Sequence, residues 1–393
     1  MKTVIAFVLA LIVWLSVATP AYSQDAGLKL PPYQKITLKN GLPVLLMEQH
    51  DVPIISLTLI IKAGSVADPA GKEGLASLTA GLLRKGTTAR SADQISAELD
   101  FVGGLLNAFA SVDYSTASAE FLKKDIDKGL DLLADVLRHP TFPQDEVTKL
   151  LKQRIDGIKS AKDQPQGVLP TYFNAYLYGS HPYGRPTGGD ENSLAAIGRD
   201  DVVRFYETYY APGNLILAVV GDFANAEMEK KLSENFSSWP TKSVPAVAVP
   251  EPAPVAGKRL LLINKPDSTQ TFYRIGSIGI ARANPDRVYI EVINTLFGGR
   301  FTSMLNSELR VNSGLTYGAG SSFERRKKPG PFAMSSYTRN ASTEKAIDMT
   351  LDILKRLREK GISEADLKSA KSYIKGQFPP TIETTDQLAS LIA

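Results

Sequence analysis

Two stretches of this chain carry nearly the same pattern. Lys128-Gly-Leu-Asp-Leu-Leu-Ala-Asp-Val-Leu137 and Lys345-Ala-Ile-Asp-Met-Thr-Leu-Asp-Ile-Leu354 share their apolar and acidic positions, and each is followed by a breaker and an acid-rich helix start. Between them lies Trp239 to Gly257, a segment with five prolines and few charges, which reads as an extended, semi-stiff linker. A chain of 393 residues is also too long for one ordinary core, since domains usually run to roughly 100–200 residues. Together these point to two α+β units, 33–239 and 258–393, joined by a linker at 240–257. By pattern alone, two unrelated strand-strand-helix-helix units would look much the same.

The second unit repeats the grammar of the first. In the first, Ile36 to Lys39, the turn signal Asn40-Gly41 and Pro43 to Met47 read as a hairpin, and Ile54 to Ile61 as a neighbouring strand of one sheet. Helices follow at Gly74 to Leu83 and Ser91 to Asp100, the second opened by a hydroxyl cap with Asp93 in its first turn. Strand-like Leu106 to Ser111 and Tyr114 to Phe121 precede helices at Asp125 to Leu137 and Asp145 to Ser160, with Pro140 and Pro143 breaking between them. In the second unit, Leu260 to Ile263 and Thr271 to Ile280 read as strands, Asp286 to Leu296 as a helix, Tyr317 to Phe323 and Phe332 to Tyr337 as strands. Helices Glu344 to Lys360 and Glu364 to Gln377 close the pattern, and Thr385 to Ala393 reads as an interrupted amphipathic helix. The second unit is markedly shorter, so the expectation is that it is truncated and lacks counterparts of the first unit's closing helices and strand.

The first residues differ in kind. Lys2, an apolar run from Val4 to Val17 and then Ala21-Tyr22-Ser23 make a secretory signal peptide over 1–23, cleaved after Ser23. The run is shorter than the roughly 20 apolar residues of a membrane span. The mature protein is expected to be periplasmic or otherwise exported, with no membrane attachment. The absence of cysteine excludes disulfides, thiolate metal ligands and a cysteine nucleophile. A formal charge of +4 is too weak to argue for nucleic acid or an anionic surface as partner.

Few residues offer chemistry on their own. The three histidines, His50, His139 and His181, form no local ligand array, and packing or helix-end roles suit them. No Gly-x-Ser-x-Gly occurs, and Gly318-Ala319-Gly320 leads into a strand rather than a phosphate-binding helix.

At Gly74-Leu-Ala-Ser-Leu-Thr-Ala-Gly-Leu-Leu-Arg-Lys-Gly-Thr87 the chain resembles the insulinase-like (M16) zinc peptidases. Their active members carry Gly-Leu-Ala-His-Phe-Leu-Glu-His here, followed by Lys-Gly-Thr. Tyr178-Gly-Ser-His-Pro-Tyr-Gly-Arg-Pro186, Tyr209-Tyr-Ala-Pro-Gly-Asn-Leu215 and Val219-Val-Gly-Asp222 extend the likeness across nearly the whole mature chain. The resemblance places the zinc motif's first histidine on Ser77, its glutamate on Ala80, its second histidine on Gly81, and the third ligand near Gly157. None can replace imidazole or carboxylate, so it implies a chain that binds no metal, with zinc expected in a partner.

The resemblance also supplies what remains of a site. Leu309-Arg310-Val-Asn-Ser-Gly-Leu-Thr-Tyr317 is similar to the segment in which the family's arginine and tyrosine reach the substrate across a closed shell. A guanidinium and a phenol there can hydrogen-bond a scissile carbonyl oxygen as it gains charge. Gly298, Gly299 and Arg300 match a glycine-rich loop implicated in handling substrate. The implied fold is two homologous domains, each a mostly antiparallel sheet with helices on one face. The implied role is the non-catalytic subunit of a heterodimer, paired with a His-x-x-Glu-His-bearing paralogue around a chamber for unfolded, exported peptides. Another class of function is a non-proteolytic M16-like scaffold or peptide-binding protein. A self-sufficient enzyme with a different nucleophile has no constellation to support it.

Overall fold

A computed structural model describes residues 30–393; the signal peptide expected over 1–23 and its expected cleavage point lie outside the described residues. The first sheet contains β1 (Gln34–Thr37), β2 (Pro43–Glu48), β3 (Ile54–Ile61), β4 (Leu105–Ala110), β5 (Ser115–Leu122) and β6 (Leu215–Gly221). Their order across the sheet is β1-β2-β6-β3-β5-β4. Asn40-Gly41 makes the expected turn, with Gly41 at φ 84°, a conformation glycine reaches without a Cβ penalty. The sequence places β2 and β3 side by side. In the structure β6 enters between them, parallel to β2 and antiparallel to β3. Sequence proximity cannot show that a strand from far along the chain takes the central position.

Helices α1 (Leu75–Leu82), α2 (Ala92–Val102), α3 (Ile126–Arg138), α4 (Gln144–Ala161), α5 (Pro165–Tyr178), α6 (Glu191–Ala195), α7 (Arg199–Tyr209) and α8 (Asn225–Phe236) complete the first unit. Ser91 caps α2 through a reciprocal pair of hydrogen bonds with Gln94. One face of the sheet, with Val44, Leu46, Ile55, Leu57, Leu59, Leu217 and Val219, joins the large helical core. The second unit contains α9 (Arg287–Asn294), α10 (Met304–Asn306), α11 (Thr343–Lys360), α12 (Glu364–Gln377) and α13 (Thr385–Ile392). Its sheet has β7 (Gln270–Ile278), β8 (Ala319–Phe323) and β9 (Pro331–Arg339), in the order β7-β9-β8. This sheet repeats the β3-β5-β4 portion of the first.

Two expectations are corrected by this arrangement. The first sheet carries helices on both faces: α13 packs Leu388 and Ala389 against Leu45, Met47, Ala218 and Val220, and Thr385 Oγ1 lies 2.7 Å from Ser56 Oγ on β3. Strands covered on both sides read as unbroken apolar runs, which is how β2 and β6 read. Leu260 to Ile263 form no strand, and Leu260 and Leu262 are each 83% exposed. In the first unit β2 is held by β1 and β6; among the described residues no strand stands in the β6 position beside β7. A lone extended segment without such a partner makes no ladder, and here Leu260 O accepts from Tyr176 Oη at 3.0 Å instead.

The halves exchange helices. While α13 covers β3 and β6, α5 of the first unit packs beside β7 of the second, with Phe173 under Arg274 at 5.1 Å. The linker is seated as well, Val249 being buried with Leu177, Tyr178 and Tyr183. Among the described residues no helix is long and apolar enough to cross a membrane.

Candidate functional site

Helix α1 carries positions 77, 80 and 81. Its start is stabilised from a distance. Asp68 accepts hydrogen bonds from the backbone N–H groups of Gly74 and Ala76, both at 2.8 Å, which occupies donors a helix start otherwise leaves free. Burial pushes the Asp68 carboxyl up to about 7, against the opposite pull of these two bonds.

Ser77 and Gly81 stand one turn apart on one face of α1, and α4 sends Arg154 to that face. Its Nη1 donates to Ser77 Oγ at 2.9 Å and its Nη2 to the Ser77 carbonyl at 2.8 Å. A Cβ at position 81 would lie 2.9 Å from Nη2 and 3.3 Å from Leu150 Cδ2. Glycine at 81 and arginine at 154 therefore fit one another, and a larger residue at 81 would displace the guanidinium. Burial lowers the Arg154 pKa, with no neighbouring carboxylate to offset it. Ala80 is buried, at 2% exposure. Gly157 is exposed one turn beyond Arg154 with open space where its Cβ would stand, so the side chain that faces the motif from α4 is Arg154.

A hydroxyl, a methyl, a glycine and a guanidinium offer zinc neither imidazole nor carboxylate. The guanidinium moreover brings positive charge to the place a cation would take. These residues do not fit zinc. Among the described residues no group of three or more His, Cys, Asp or Glu side chains is arranged to hold a metal.

The segment with Arg310 and Tyr317 is shaped by one carbonyl. Leu309 O accepts from Leu315 N at 2.9 Å, Thr316 N at 3.3 Å and Ser313 Oγ at 3.0 Å. This folds the chain back so that the residues adjoining Arg310 and Tyr317 are tied together. The Arg310 guanidinium lies 4.8 Å from the centre of the Phe301 ring, a cation–π contact that holds it without consuming its N–H donors. Tyr317 is 78% exposed. Among the described residues, neither polar end has a hydrogen-bond or ion-pair partner. No such bond joins this segment to the 77–81 face either.

The neighbouring glycines have structural duties. Thr295–Gly299 is a widened helical turn at the end of α9, and a Cβ at Gly298 would collide with Ser321 Oγ and N on β8 and with Leu305 Cδ1. Gly299 packs close to the Asn294 carbonyl. Arg300 is turned to α12, donating to Ser369 Oγ at 3.0 Å and lying over Tyr373.

The histidines have local roles. His181 Nδ1 accepts from Tyr183 N at 3.0 Å, so its Nε2–H donates to Pro250 O at 3.0 Å, pinning the linker. The Asp222 carboxylate, 2.7 Å from Nδ1, raises the pKa of exposed His50. His139 ends α3 and lends its carbonyl to Thr88 N.

Sequence reasoning missed Arg154, since residue count does not give helix phase. It also missed the clasp between units. Tyr183 Oη donates to Asp113 Oδ1 at 2.9 Å and accepts from Lys328 N at 2.9 Å, Asp113 Oδ2 takes Lys327 N at 2.7 Å, and Tyr178 Oη donates to Pro329 O at 3.0 Å. The β8–β9 turn is thereby fixed to the first unit. Tyr178 and Tyr183 lie in the quoted 178–186 segment, but nothing marked Asp113.

Fold and site define a two-domain α+β chain in which Ser77, Ala80, Gly81 and Arg154 offer a metal neither imidazole nor carboxylate. Residues 43–191 match the family described as insulinase (peptidase family M16), and residues 196–374 match the peptidase M16 inactive domain. The chain belongs to the M16 peptidase family. It is 26% identical to an uncharacterized zinc protease of Bacillus subtilis over 358 residues, 91% of this chain and 86% of the relative. An uncharacterized zinc protease of Rickettsia felis is 28% identical over 342 residues, covering 87% and 82%. The peptidase M16 inactive domain of Pseudomonas fluorescens superposes with a TM-score of 0.81 at 28% identity, covering 88% of this chain and 84% of that one. A protease from Helicobacter pylori shares the fold, with a TM-score of 0.87 at 24% identity and coverage of 92% and 88%.

Proposed function

We propose that this chain is the non-catalytic subunit of a two-chain M16 peptidase, acting in the periplasm on exported peptides beside a zinc-bearing paralogue. The observation that carries the proposal is the contrast between its two sites. The metal positions hold no ligand and no base, whereas Arg310 and Tyr317 keep their donors free on an ordered segment. In this reading metal and hydrolytic water belong to the partner. Arg310 and Tyr317 donate hydrogen bonds to the scissile carbonyl oxygen, and these strengthen as that oxygen gains charge. The clasp at Tyr183 and the exchanged helices suit such a part, because donors must be held in place before the reaction to be worth most. The N-terminal segment 1–23 supports export.

Purification from the native host with a tagged copy of this chain tests the pairing. The expected result is a near-equimolar zinc-containing paralogue with chelator-sensitive cleavage of unfolded peptides in the shared fraction. Recovery of the chain alone, or with partners lacking peptidase activity, would favour the scaffold reading.

A further inference from the structure

The residues that replace the metal ligands form a site of their own. Arg154 is half-buried against Ser77, and Gly81 leaves it room. Several arginines of this chain are matched by acids: Arg90 by Glu98, Asp131 and Asp135, Arg326 by Glu324, Arg185 by Glu73. Arg154 has no carboxylate within ion-pair distance among the described residues, and burial lowers its pKa.

A guanidinium carries five N–H donors in a planar fork. Arg154 gives one from each Nη to Ser77, and its Nε makes no hydrogen bond among the described residues. The side of the fork formed by Nε and one Nη is thus left to donate to a second pair of oxygens. A partly desolvated charge without a counter-ion is costly, and a carboxylate is the anion whose two oxygens match that side. A second guanidinium follows the helix. Arg84, in the turn after α1, donates to Leu106 O at 2.6 Å on the edge strand β4, and among the described residues it too lacks an acidic partner. The end of α1 thus adjoins a strand whose outer side is unpaired.

We propose that the degenerate metal cradle of this chain is a carboxylate-binding site, in which Arg154, backed by Ser77 and given room by Gly81, receives a side-chain or C-terminal carboxylate of an extended peptide. The site holds a peptide where the active relatives' residues would hold a cation. It rests on the reading that this face of the chain meets peptide, and adds the chemistry it selects.

Four octapeptides carrying an uncharged BODIPY label test it on the mature full-length chain: one with a single Glu, its Gln twin, and each with a free or amidated C-terminus. Fluorescence anisotropy should show the carboxylate-bearing probes binding tighter than the amidated Gln twin by on the order of ten- to a hundred-fold. The preferred position of the carboxylate separates a side-chain site from a C-terminal one. Arg154→Met should abolish the preference while leaving the neutral probe within about twofold. Arg154→Gln, which can still hydrogen-bond Ser77, should do the same if the methionine variant fails to fold. Equal affinity for all four probes, no binding of any of them, or a preference that survives both substitutions would overturn the proposal. Turnover of the two-chain complex is a separate readout, so failure here is distinguishable from failure of the subunit reading.

Discussion

The positions that the family resemblance assigns to the zinc motif's histidines lie on α1 and face α4, and the residues found there fit one another across the two helices. Gly81 is the residue that leaves Arg154 room, and Arg154 ties α4 to Ser77 on α1 by two hydrogen bonds. Restoring the motif on α1 alone should therefore fail. Ser77→His, Ala80→Glu and Gly81→His together are expected to bind no stoichiometric zinc, because the guanidinium still stands against them. Adding Arg154→Glu should bring zinc toward one per chain, whereas adding Gly157→Glu instead should not, since that position is exposed and without neighbours. Metal analysis after dialysis separates the two four-residue variants, and equal loading of both would contradict the assignment of Arg154. That Ser77 and Gly81 share one face of a helix was legible in the sequence because the spacing inside one helix is fixed by its geometry. The identity of the opposing residue was not, because helix α4 is free in phase relative to α1 until the two are packed.

Helix α1 owes its start to Asp68, and that bond has a pH dependence. The Asp68 carboxyl stands near 7 in the folded chain and near about 3.9 in an unfolded one, so folding takes up a proton between those values. Its contribution to stability is complete below about pH 4 and is lost as pH rises through about 7. Denaturant unfolding across that range should show wild type losing stability relative to Asp68→Asn as pH rises; a difference that stays flat would contradict the shift. The glycines of the second unit allow a sharper contrast. Gly298→Ala forces a methyl into the backbone and side chain of Ser321 and should destabilise by about 1–3 kcal/mol, while Gly318→Ala, with open space around it, should stay within about 0.5 kcal/mol. Equal midpoints for the two in chemical denaturation would argue against a packed turn at 295–299. Elements with strong local signals, such as the Asn40-Gly41 turn and the Ser91 cap, were readable from the sequence. Leu260 to Ile263 was misread because a strand is made by its neighbours, and α13 could be seen as amphipathic without revealing which sheet it would cover.

At the scale of the whole chain, the two halves are held by exchange as well as by a linker. Helix α5 lies beside β7, α13 covers β3 and β6, and the β8–β9 turn is clasped by Tyr183 and Asp113. The pattern suggested a duplication that the family resemblance was needed to settle, and the exchange was not legible, since an apolar helix face does not say which sheet it will cover. Such a frame gives the Arg310–Tyr317 segment a fixed base, which the proposed role in an active site completed by another chain requires. The direct test is turnover by this chain reconstituted with a zinc-bearing paralogue, comparing wild type with Arg310→Ala and Tyr317→Phe after assembly and zinc content are shown to match. Each substitution should lower turnover by about 10²–10³-fold, with the double variant less than additive. Unchanged turnover in both single variants, in a complex that is assembled and zinc-loaded, would contradict the account.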